Sequence, residues 1–129
     1  MIQKMILSLL ASACCSSALA AMPALKYKTA DCTLMNDSKV VKQQSVAMMF
    51  LQIDSGFGRF AELQLGDDKL PIQYQIFIED DLSNQATDHV LILQNLKVGD
   101  VESSSEFSGR DVKWLRIAQG AFSVRCELK

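Results

Sequence analysis

The sequence predicts an all-β domain: a single antiparallel β-sandwich or small closed β-barrel of seven to eight strands, with its N- and C-terminal strands adjacent. Three observations carry this. Apolar residues recur with period two rather than 3.6, the signature of strands with one wet and one buried face. No segment carries a convincing long helical stripe. Two cysteines, Cys32 and Cys126, stand near the two ends of what remains once an export leader is removed.

The leader is residues 1–20, MIQKMILSLLASACCSSALA. Lys4 supplies a positive start, Met5 to Cys15 an apolar or small-residue core, and Ala18-Leu19-Ala20 the small-x-small pattern of a cleavage site. The run is too short to span a bilayer, which takes about 20 apolar residues. Residues 1–20 are therefore expected to be a signal peptide and residues 21–129 one β domain, periplasmic or secreted. The leader's brevity and alanine-rich end have a bacterial character. A lipid anchor is the minority alternative: Cys14 follows Leu10-Ala11-Ser12-Ala13, a lipobox-like stretch with its large aliphatic residue one place early. No later apolar run exceeds Val46–Leu51, so no transmembrane segment is expected in the mature chain.

Composition narrows the class further. A chain of 129 residues matches one domain. With 49% hydrophobic and 22% charged residues, 6 glycines and 2 prolines, it is neither disordered nor collagenous. A formal net charge of -2, which becomes -3 when Lys4 leaves with the leader, excludes a strongly basic field for nucleic acid. A single histidine excludes most imidazole-based metal and catalytic sites.

The strands follow in chain order. Leu25 to Lys28 alternates, but Cys32 and Leu34 have the opposite parity, so a bulge or break is expected near Thr29–Asp31. Asn36–Gln44 reads as a loop or a turn of helix. Val46–Ile53 is nearly continuous and apolar, suiting a strand covered on both faces. It is expected to pair with Phe60–Leu65 across a loop at Asp54–Arg59. Opposing Leu51 to Leu63 then places Met49, Leu51, Ile53, Ala61, Leu63 and Leu65 on one face.

Ile72–Glu79 alternates almost cleanly and is expected to pair with His89–Asn95, which contains the continuous run Val90–Leu93. Lys97–Ser108, with Gly99-Asp100 and three successive serines, reads as turn or edge strand. The last hairpin, Val112–Ala118 with Phe122–Leu128, is placed by a two-residue turn at Gln119-Gly120. That register opposes Ile117 to Phe122, Leu115 to Val124 and Lys113 to Cys126 on one face. Trp114 then meets Arg125 on the other, with Arg116 nearby. An outer-membrane barrel is disfavoured, because the alternate faces carry Gln73, Gln75, Arg125 and Glu127.

An exported chain meets oxidising conditions, so the even pair Cys32 and Cys126 is expected to form a disulfide. Closing nearly the whole domain, it stabilises by roughly 4–5 kcal/mol in the chain-entropy picture. Its geometry requires the first and last strands to be neighbours. No C-x-x-C remains for redox chemistry, and two cysteines with one histidine do not complete a zinc site. One cysteine early and another near the C-terminus resembles the small disulfide-closed β proteins of bacterial envelopes, including periplasmic lysozyme inhibitors. Their loop motifs are absent here, so no residue roles carry over.

Enzymatic machinery is not evident. Asp88-His89 is the one acid–imidazole neighbour pair, but adjacent strand residues point to opposite faces, so the acid is poorly placed to orient the ring. No G-x-S-x-G elbow is present. Glu79-Asp80-Asp81 with Asn84 and Asp88 lacks the spacing of an EF-hand calcium loop. Asp67-Asp68 reads as turn chemistry, and Asn36-Asp37-Ser38 as a chance sequon. No cofactor, metal or catalytic residue is therefore expected.

Trp114 is the informative residue. Stacked on Arg125 beside Arg116, it has the composition of an interface hot spot; the competing expectation is that a loop or second sheet covers this face and buries the ring, as happens to most large aromatics. The expectation is an exported, non-enzymatic binding module using Trp114, Arg116 and Arg125 toward a protein or small envelope ligand. The alternatives are a small-molecule carrier with an apolar barrel cavity and, less favoured, a hydrolase using His89.

Overall fold

The structure, a computed structural model, describes residues 27–53, 56–80 and 89–129. The segment expected to be a leader, residues 1–20 with Cys14, and Asp81, Asn84 and Asp88 lie outside the described residues. Nine strands run in order: β1 (Thr29–Asn36), β2 (Lys39–Ala47), β3 (Met49–Ile53), β4 (Gly56–Gln64), β5 (Ile72–Asp80), β6 (His89–Val98), β7 (Val101–Arg110), β8 (Trp114–Gln119) and β9 (Phe122–Leu128). They form two antiparallel sheets of order β2-β1-β9-β8 and β3-β4-β5-β6-β7. The architecture is thus a sandwich. No helix occurs among the described residues.

Period-two alternation builds the core. Ala30, Cys32 and Leu34 of β1 face Leu115 and Ile117 of β8 and Val124, Cys126 and Leu128 of β9 on one inner surface. The other sheet contributes Ala61, Leu63, Ile72, Tyr74, Ile76, Ile78, Val90, Ile92 and Leu96. Burying a Leu, Ile or Val side chain gains roughly 1.5–3 kcal/mol, so the clean alternation fixes which face of each strand turns inward. Cys32 lies opposite Cys126 in the β1–β9 register, and the two are joined by a disulfide with Cα atoms 4.1 Å apart. The first and last strands are neighbours, as the cysteines require.

Several elements depart from the sequence expectation. The break in parity before β1 falls at Tyr27, which is buried at φ 64°, rather than at Thr29–Asp31. Asn36–Gln44 is neither loop nor helix. A two-residue turn at Asp37-Ser38 leads into β2, whose lysines and exposed valines suit a sheet edge. The run Val46–Ile53 is not one strand. It breaks at buried Met48, whose N–H donates to the Lys28 carbonyl at 2.8 Å, and the chain crosses there from one sheet to the other.

That corner resets the next hairpin. Leu51 lies opposite Gly58, not Leu63. With Met48 already inside, Met49 turns outward and is 59% exposed, while Phe50 shares the inner face with Arg59. Gly56–Gly58 is therefore strand rather than loop. The β8–β9 turn is Gly120-Ala121, with Gly120 at φ 62°, so Leu115 opposes Cys126 and Ile117 opposes Val124. The displacement from the expected register is even, which keeps every side chain on its expected face. The β5–β6 pairing and the edge position of β7 agree with expectation.

Candidate functional site

The outer face of the β2-β1-β9-β8 sheet gathers the three residues singled out in the sequence. Alternation sends Trp114 and Arg116 of β8 outward because Leu115 and Ile117 point in, and Arg125 outward between Val124 and Cys126. Trp114 is 53% exposed, so it is a surface residue and not part of the core. Arg116 stands directly opposite Arg125 in the register. Like charges so placed repel. Arg125 relieves this by laying its guanidinium over the indole, 5.2 Å from the ring centroid. An exposed cation–π contact of this kind is worth about 0.5–1 kcal/mol.

The adjoining row runs Trp114, Glu127, Asp31, Ser45 across the four strands. Its carboxylates are already engaged. Lys129 Nζ lies 2.7 Å from Asp31 and 3.9 Å from Glu127, Lys113 Nζ lies 4.0 Å from Glu127, and Ser45 Oγ donates to Asp31 at 2.5 Å. The bonds from Lys129 and then Ser45 hold the Asp31 carboxyl below its ordinary range, and the reciprocal bond raises Lys129. Among the described residues no carboxylate comes within 4.0 Å of Arg116 or Arg125. The face thus presents two guanidiniums and a half-exposed indole on a sheet whose β1 and β9 are joined by the disulfide.

The remaining sequence candidates are dispersed. His89 begins β6, half-buried and opposite Arg110, and its neighbour Asp88 lies outside the described residues. Asp80 is drawn to Arg59. Asp67 caps its own turn, its Oδ1 accepting from the N–H groups of Lys69 and Leu70 at 2.9 Å each. Among the described residues no three His, Cys, Asp or Glu side chains gather as metal ligands.

Three arrangements escaped the sequence reading. Arg59 is buried at 1% exposure, paired with Asp80 at 3.1 Å and flanked by the rings of Tyr27 and Phe50 at 5.7 and 5.9 Å. Gln94 occupies an inward position of β6. Its Oε1 accepts from Tyr74 Oη at 2.7 Å, and its Nε2 donates to Ser105 Oγ at 3.1 Å and to the Arg116 carbonyl on the facing sheet at 3.5 Å. The third is an apolar row on the outer face of the β3–β7 sheet. Its signal was present in the doubled apolar runs Ile76-Phe77-Ile78 and Val90–Leu93, which place apolar side chains on both faces of a strand.

Comparison with known proteins adds no relative: no family model, no curated protein and no solved structure matches the chain.

Proposed function

We propose that this chain is an exported, non-enzymatic binding domain of the bacterial envelope that engages an acidic partner protein through Trp114, Arg116 and Arg125. The observation that carries the reading is the pair of opposed guanidiniums with no carboxylate within 4.0 Å among the described residues, beside a half-open indole, on a face whose other charges are mutually engaged. Tryptophan and arginine are enriched among residues that dominate interface energetics. Arginine's planar fork suits carboxylate recognition, and an acidic partner supplies the charges that the two lack. Export is supported by the leader-like residues 1–20 and the disulfide.

The test is affinity capture from envelope extract with the mature domain, run beside Trp114→Ala and the doubly reversed Arg116→Glu/Arg125→Glu. A partner held by the wild type and released by both variants, at a melting temperature near wild type, is the expected result. Capture that is unchanged in both variants overturns the reading. The carrier alternative assumed a closed barrel, whereas the strands form two separate sheets.

A further inference from the structure

The outer face of the second sheet breaks the alternation rule. A strand exposed on one side is expected to be polar there. Instead one row crosses all five strands as Met49, Phe60, Phe77, Leu93 and Glu106, each opposite the next in the register. Met49 is 59% exposed and Leu93 38%, while Phe60 and Phe77 are half-buried. The row beside it on one flank is Leu51, Gly58, Glu79, Leu91, Ser108, adding two more leucines. On the other flank stand Glu62, Gln75, Asn95 and Ser104. A groove of about 490 Å³ opens on this face over Phe60, Phe77 and Leu93, rimmed by Gln75, Asn95 and Glu106.

Contiguous apolar surface rimmed by polar groups marks an interaction site on an otherwise soluble domain. Charge indicates what it takes. The three rows contain Glu62, Glu79 and Glu106 and not one basic side chain. Lys97 and Arg110 lie one row further out, Lys97 opposite Glu102 and Arg110 opposite His89. An apolar floor whose polar rim carries carboxylates as its only charges complements a segment with an apolar stripe and cationic flanks. Size agrees. Five strands spaced roughly 4.8 Å apart make a row about 19 Å long, the length of a helix of about 13 residues. Such a helix lays its i, i+3/i+4, i+7 side chains along the row.

We infer that the outer face of β3–β7 docks a cationic amphipathic helix. This site lies on the opposite side of the sandwich from Trp114 and is independent of it. The probe is a fluorescently labelled 14-residue peptide of leucine and lysine with one apolar stripe, titrated into the intact domain and read by anisotropy. Saturable binding is expected, weakened at least tenfold by Leu93→Lys and, separately, by Glu106→Lys, both at exposed positions that leave folding intact. A peptide with glutamate in place of lysine, and one of the same composition with the stripe scrambled, are expected not to bind. Arg116→Glu/Arg125→Glu leaves the titration unchanged, which separates this site from the one on the other sheet. Equal binding of the acidic or scrambled peptide, or affinity indifferent to both substitutions, overturns the inference. So does a dimer in sedimentation that Leu93→Lys converts to monomer, since the face then belongs to a second copy.

Discussion

Arg59 and Asp80 form an ion pair at the margin of the core, the two terminal guanidinium nitrogens, Nη1 and Nη2, each donating to Asp80 Oδ1 at 3.1 Å. Arg59 is 1% exposed and its carboxylate partner 23%. The aromatic rings of Tyr27 and Phe50 flank the cation. The pair joins β4 to the end of β5, next to the chain's crossing between sheets. Removing one member of a buried pair leaves the other charge less compensated in a low-dielectric site, whereas replacing both with apolar groups is often tolerated. Asp80→Asn is expected to destabilise by about 3 kcal/mol, toward the low end of the range because the carboxylate is partly wet. Arg59→Met/Asp80→Leu is expected to lose less than the single change. Urea melts of the three proteins check the order, and a double variant weaker than Asp80→Asn contradicts it.

Tyr74 gives an alkaline limb to stability. Burial pushes its phenol well above the ordinary value of 10.0. Below pH 10 the group is neutral in both states and its contribution is complete. Above that, the unfolded chain releases the proton first while the folded chain holds it, so stability falls as pH rises. Melting temperature is expected to decline above about pH 10, and Tyr74→Phe to flatten that part of the decline. At neutral pH the same substitution leaves Gln94 Oε1 without the donor at 2.7 Å. The cost expected there is about 1–3 kcal/mol, read from chemical denaturation.

Gly66 admits no side chain. It lies between β4 and β5, where a Cβ would stand 2.1 Å from the Leu70 carbonyl oxygen and 2.5 Å from the Ile72 nitrogen. Both are backbone atoms held by the turn that Asp67 caps, so neither yields cheaply. Gly66→Ala is expected to destabilise by more than the ~1 kcal/mol by which such a change stabilises at a permissive site. A wild-type denaturation midpoint in the variant refutes the close approach.

Cys32 and Cys126 enclose a loop with a sequence separation of 94. Cys32→Ser/Cys126→Ser is expected to lose roughly 4–5 kcal/mol in the chain-entropy picture. Intact mass of the protein reports the bond directly, because two free thiols add two hydrogens. Free thiols in that protein contradict the covalent closure.

The sequence made much of this fold legible because burial selects parity. Ile72 to Ile78 alternates but for Phe77 and buries the face its pattern dictates, and Val124 to Leu128 does the same, although Ser123 just before them is buried against its polarity. Even the displaced β8–β9 register kept Trp114, Arg116 and Arg125 together, since an even displacement does not exchange faces. What stayed hidden turned on contacts distant in sequence. Met48 reads as one more apolar residue in a run, and only the Lys28 carbonyl and the second sheet make it a corner. β2 buries few side chains, so its strand character comes from backbone pairing with β1 rather than from its composition. Arg59 and Gln94 appear polar in isolation, and their inward placement depends on Asp80 and Tyr74 respectively.

The covalent link also decides how the domain bears load. A pull applied through residues before Cys32 and after Cys126 passes from one sulfur to the other and never reaches the strands between. The sandwich is mechanically shunted: beyond the Ala30–Leu128 and Asp31–Glu127 pairs, tension that would peel β9 from β1 is carried by the sulfur–sulfur bond, and the outer faces of both sheets keep their shape.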